Sequence, residues 1–144
     1  MNESRKRRDI ATDAFRLYAS LGCPTRDAYE QMIRAGVAAK FAHESDEQLS
    51  RRMRTAYMTN KQAILDIDAV NEVMRQLEAK GRTEIIGAIR AVYFEEPRRR
   101  TYKGEIEARV TRYAAIECPA GRRTVYAWLR RAREMFFRAR GMDF

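Results

Sequence analysis

Apolar residues recur along the chain at spacings of three and four, and this rhythm predicts a succession of amphipathic helices. Ile10, Ala14, Leu17, Tyr18 and Leu21 form one stripe of a first helix within residues 1–22, closed by Gly22 and Pro24. Thr25 caps a second helix that runs to about Phe41, with Tyr29, Met32, Ile33 and Val37 inward. Ser45 and Gln48 form a capping box for a third helix to about Tyr57, whose apolar line of Leu49, Met53, Ala56 and Tyr57 is thin. Thr59 and Gln62 predict a second box opening a long helix over about 60–80. Its stripe is Ala63, Ile67, Val70, Met74 and Leu77, widened by Ile64 and Val73 and ended at Gly81. The next segment, TEIIGAIRAVYF, is apolar on nearly every side, which makes 83–95 the expected core helix, stopped by Pro97.

Past the basic linker PRRRTYKG, two further helices follow. The first, from about Lys103 to Ile116, carries Ile106, Val110, Tyr113 and Ala114 on one stripe. Pro119 breaks it, Gly121 serves as an N-cap, and a second helix starts near Arg122 with Val125, Trp128, Leu129, Ala132, Met135, Phe136 and Ala139 inward. Phe137 falls on the polar side. It points either to a contact with a partner or second copy, or to packing against the N-terminal helices. Nothing alternates with period two over a useful length, and no internal repeat or low-complexity segment interrupts the pattern. The expected fold is all-α, a multi-helix domain with a C-terminal helix-turn-helix. Residues 1–96 form an N-terminal helical region of about five helices, and residues 97–144 form a basic linker and a DNA-binding unit.

Charge gives that division its meaning. Residues 97–144 hold 13 Lys+Arg against 5 Asp+Glu, net +8, whereas residues 1–96 hold 16 against 15, net +1. Nearly all of the chain's +9 therefore lies in its last third, as expected of a face that meets a polyanion. On the last helix Arg123, Tyr126, Ala127, Arg130 and Glu134 lie opposite the apolar stripe, flanked by Arg122 and Arg133. A recognition helix enters the major groove N-terminus first, and arginine forks there take guanine O6 and N7. Arg122, Arg123, Tyr126 and Arg130 are accordingly expected to face the groove. Arg98, Arg99, Arg100, Lys103, Arg131 and Arg133 are expected to hold phosphates. The helix-turn-helix register can be read as well. With Val125 as the buried residue, Ala115 lies ten earlier, where a small side chain lets the two helices close. Pro119 occupies the place where a turn glycine is usual, and Gly121 lies two positions later.

The stretch RTVYAWLRRAREMFF resembles the C-terminal helix of phage transcription regulators of the ArpU/RinA type, which in turn look like region 4 of sigma factors. The similarity extends upstream through AIRAVYF and GEIEARV and covers about residues 60–144. That family tends to place a serine before the recognition helix where this chain has Gly121. The resemblance implies promoter recognition on double-stranded DNA and RNA polymerase as a partner; a homodimer is what a contact of Phe137 with a second copy would give.

Other chemistries find little support. The two cysteines, Cys23 and Cys118, match no metal or redox spacing, and His43 stands alone in an expected loop. No glycine-rich phosphate loop, metal-ligand cluster or nucleophile elbow occurs. No enzyme activity, cofactor or metal is expected. The absence of an apolar leader or spanning segment points to a cytoplasmic protein without membrane contact. Two rival readings remain: a small terminase-type DNA-packaging subunit, and a helical adaptor that binds protein alone.

Overall fold

A computed structural model describes residues 3–99, 101–118 and 120–142, and among them every regular element is helical. The expected roles of Arg100 and Pro119 lie outside the described residues. The helices are α1 (Arg5–Ser20), α2 (Arg26–Lys40), α3 (Asp46–Thr59), α4 (Lys61–Ala79), α5 (Thr83–Ile89), α6 (Glu105–Arg112) and α7 (Arg122–Ala139). Two of them end in wider, π-helical turns: α5 runs on into Arg90–Phe94, and α6 into Tyr113–Glu117. The all-α expectation is met.

Local chemistry sets the helix starts. Ser4 and Thr25 accept hydrogen bonds from the amides of Arg7 and Ala28, three residues on. Ser45 and Gln48 form the reciprocal capping box, at 3.2 and 3.0 Å. The second expected box does not form. Thr59 is the last residue of α3, and α4 begins beyond Asn60, whose side-chain amide donates to the Ala56 carbonyl at 2.8 Å. Because α3 runs two residues further than its apolar line suggests, Thr59 is absorbed into it. Gly104, before α6, sits at φ +81, a left-handed conformation that glycine adopts without strain.

The core lies between α1, α4, α5 with its π-turn, and α7. From α4 it takes Ile67, Val70, Val73 and Leu77, and from α5 with its extension Ile85, Ile89, Val92 and Tyr93. Val125, Leu129, Ala132 and Phe136 of α7 belong to the same cluster, so the core is continuous across residue 97. On α1 the buried line is Ala11, Ala14, Phe15 and Tyr18, one step round from the expected stripe, and Ile10 is 37% exposed. The large Phe15 ring decides this phase. It stacks on Tyr93 at 5.5 Å and meets Phe136 at 6.1 Å, and such ring pairs add to the gain from burial. Trp128, expected inside, is only half-buried against the edge of the core. Phe137 is buried, edge-on to Phe136 and beneath the Arg7 guanidinium, so of its two readings packing is the one observed.

Helices α2 and α3 pack on each other as a hairpin, which meets the body chiefly through α2 against α4. No α3 side chain is fully buried. It therefore draws little on the roughly 1.5–3 kcal/mol that each fully buried large apolar side chain contributes.

One contact gives a sharp test. A Cβ added at Gly87 would lie 2.5 Å from the Tyr113 hydroxyl, which donates to the Glu84 carbonyl at 2.8 Å. Alanine in place of a mid-helix glycine ordinarily stabilises by about 0.5–1 kcal/mol. Here Gly87→Ala is expected to destabilise by about 1–3 kcal/mol, the cost of overpacking. The double variant Gly87→Ala/Tyr113→Phe should recover much of that loss. Urea unfolding of the two variants and of Tyr113→Phe checks both points.

Candidate nucleic-acid interface

The end of α6 and the start of α7 define the geometry. The π-turn Tyr113–Glu117 closes with the Cys118 amide on the Tyr113 carbonyl at 3.0 Å, and the Ala120 amide then reaches Ala114 O at 3.1 Å. A π-turn holds one residue more than an α-turn. Ala114 is buried, as its place on the apolar stripe predicts, while Ala115, expected to lie where the two helices close, is exposed. The expected register, with Ala115 inside, is therefore not the one observed. Burial and the nearby Cys118 push the Tyr113 phenol up to about 12. Gly121 precedes α7 in an extended conformation and offers no side-chain cap.

Val125, Leu129, Ala132 and Phe136 hold α7 against the body. The opposite face, with Arg123, Tyr126, Ala127 and Arg130, is exposed. Arg122 is exposed too, but an ion pair of 3.5 Å links it to Glu107 of α6. The Tyr126 phenol is raised by partial burial first and by Glu107 second. Arg131, also exposed, lies on the side of α7 nearest α4, in a cleft shared with Gln76, Lys80 and Arg138. Among the described residues neither Arg123 nor Arg131 forms an ion pair, and the same is true of the exposed Lys103.

The structure places Arg133 elsewhere. It is 7% exposed; its Nε and Nη2 donate to the Glu3 carboxylate at 2.7 and 2.8 Å, and its Nη1 donates to the Tyr93 hydroxyl at 2.8 Å. Only 80° from Val125 on the helix, it borders the buried stripe, and Glu3 supplies the counter-charge that allows burial. It cannot hold a phosphate from there.

The linker arginines are also engaged. Arg98 donates to the Ser20 carbonyl at 3.0 and 3.2 Å. Arg99 pairs with Glu96 and with Glu105 and lies over the Tyr102 ring. From α1, the buried Arg16 gathers the carbonyls of Glu96, Pro97 and Arg99. Glu105 in turn holds Arg109, whose other nitrogen reaches Val92 O at 2.8 Å. Burial alone would lift the Glu105 carboxyl, but the Tyr102 amide, Arg99 and Arg109 outweigh it and hold it below the usual range. The basic linker is thus pinned to the body, although Arg98 and Arg99 remain exposed at its surface.

Sequence reasoning missed Glu107, whose place beside Arg122 depends on how α6 meets α7, and Lys80, which lies on a different helix. The Glu105–Arg109 pair was open to view as an acid and a base four apart on one helix. No group of three His, Cys, Asp or Glu able to hold a metal occurs among the described residues, and no helix among them is long and apolar enough to cross a membrane. No family model, curated protein or solved structure matches the chain.

The two classes of arginine should separate cleanly. Arg133→Ala is expected to destabilise by about 3 kcal/mol, the low end for a broken buried pair, because Glu3 near the start of α1 can turn to water. Arg123→Ala should stay within about 0.5 kcal/mol of the parent, as for other surface substitutions. Chemical denaturation of the two variants side by side reads the difference.

Proposed function

We propose that the chain is a sequence-specific double-stranded-DNA-binding transcription regulator in which α6 and α7 act as a helix-turn-helix. The observation that carries the reading is the outer face of α7. Its core contacts run along the opposite side, so Arg123 and Arg130 project from a helix that is rigidly backed. Arg99, Arg109, Arg112, Arg133, Arg138 and Arg140 are paired with carboxylates within the protein. Among the described residues Arg123 and Arg131 of α7 and Lys103 of the linker form no ion pair. The sequence resemblance to phage late-gene regulators and to region 4 of sigma factors favours a promoter as the site, RNA polymerase as the partner and the cytoplasm as the place of action.

In this reading Arg123 enters the groove first, since recognition helices lead with their N-terminus, and takes a guanine edge. Arg130, two turns back on the same face, steadies the helix. Tyr126 lies beside the groove wall, and Arg122 must exchange Glu107 for a phosphate. Lys103 offers a backbone contact from the linker, and Arg98 and Arg99 do so only to the extent that their present partners yield them.

The test is a binding titration on duplexes selected from a random pool, repeated over a range of salt concentrations. Arg123→Ala should cost about 1–3 kcal/mol on the selected site and relax the preference at one base pair. Arg130→Ala should lower affinity with a smaller change of preference. Glu107→Gln, which releases Arg122 from a surface pair worth about 0.2–1 kcal/mol, should tighten binding to every duplex by up to about fivefold. Binding that ignores salt would remove DNA as the partner and leave the protein-binding adaptor. A ring-sized mass in light scattering would favour the packaging subunit.

A further inference from the structure

Between the C-terminal end of α4 and the C-terminal half of α7 lies a cleft of about 310 Å³, lined by Gln76, Lys80, Arg131, Met135, Arg138 and Ala139. Three cations converge on it from two helices that are far apart in sequence. The acids close by account for only one of them: Glu134 pairs with Arg138 at 2.9 Å. Glu72 is taken up by Arg75 and by the Gln76 amide, at 2.5 and 3.0 Å. Lys80 and Arg131 form no ion pair among the described residues. The favourable field at a helix C-terminus accounts for Lys80 at the cap of α4 and suits Arg138 in the last turn of α7. It does not account for Arg131, which lies mid-helix.

We propose that this cleft seats a phosphate of the duplex backbone, beside the groove into which the outer face of α7 would dock. The inference rests on the DNA-binding reading and adds α4 to the interface. Arg131 follows Arg130 by one residue and is turned about 100° from it, toward α4, with Arg138 two turns further along the same edge. An α-helix with its side chains is roughly 10–12 Å across and the major groove about 12 Å wide. A helix lying in the groove therefore meets a phosphate wall on each flank. On the α6 flank the protein offers Arg122, already tied to Glu107. On the α4 flank it offers Arg131, Arg138 and, across the cleft, Lys80. The α4 flank is the stronger anion seat, with guanidinium forks for paired oxygens and an ammonium as a point charge.

The measurement is fluorescence anisotropy of a labelled duplex carrying the selected site, titrated across a range of KCl, with full-length wild type, Lys80→Ala/Arg131→Ala and Lys80→Arg/Arg131→Lys. The alanine pair should bind roughly tenfold more weakly at ordinary salt and lose about one unit of the slope of log K against log salt. The charge-preserving pair should keep most of both. Melting curves establish that all three are folded, as expected for substitutions at exposed positions. An alanine pair with unchanged slope and affinity would overturn the proposal while leaving the DNA-binding reading intact, because wild type still binds. Failure of wild type to bind any duplex would overturn both. A second arm compares melting in inorganic phosphate and in chloride at matched ionic strength. Stabilisation by phosphate that the alanine pair loses, together with an unchanged duplex slope, would make the cleft a free-phosphate site and overturn the backbone assignment.

Discussion

Much of the arrangement depends on one carboxylate. Glu105, almost wholly buried at the start of α6, accepts hydrogen bonds from Arg99, from Arg109 and from the Tyr102 amide. Nearby, Arg16 holds three linker carbonyls, and burial followed by the charge of Arg109 draws its pKa below the usual arginine value. Without Glu105, Arg109 would lose its carboxylate partner, and Arg99 would keep only Glu96. A buried ionic cluster of this kind is weak evidence for added stability, since desolvation offsets attraction. Its geometric effect is direct: it joins α1, the linker, the π-turn after α5 and the start of α6 at one point. The start of α6 is held to the body there.

Helix α7 then serves two purposes. Its inner stripe completes the core, with Phe136 against Phe15 and Arg133 locked to Tyr93 and Glu3. Its outer stripe presents cations from a backbone that is already ordered, so an anionic partner need not supply the entropy of arranging it. The same packing decides which arginines are available. Residues at neighbouring angles on one helix differ entirely in role, and the presence of a carboxylate inside, as at Glu3, makes the difference.

The parts legible in the sequence were those governed by local rules. The Ser45–Gln48 box, the inner face of α4 and the phase of Val125, Leu129 and Phe136 all follow from spacing and capping chemistry. What spacing could not reveal came from tertiary partners. Phe15 outweighed Ile10 because two aromatic rings awaited it. Arg133 turned inward because Glu3, 130 residues away in sequence, met it. The apolar stripe of α6 placed Ala114 inward correctly, whereas the helix-turn-helix spacing placed Ala115 there, and Ala115 is exposed. On the candidate face, Arg122, Arg123, Tyr126, Arg130 and Arg131 are exposed as expected, while Lys80 and Glu107 join it only through the packing of other helices.

The α2–α3 hairpin has a consequence of another kind. Tyr29, with the half-buried Ile33, holds α2 to the body, and α3 adds no fully buried side chain of its own. Segments with so few buried contacts open at free energies far below that of global unfolding, while the α1–α4–α5–α7 core opens last. Backbone amides of α3 are thus expected to exchange ahead of those of the core. Changes there perturb folding least, which makes α3 the part of the chain most able to diverge, lengthen or acquire a new partner while the rest stays as it is.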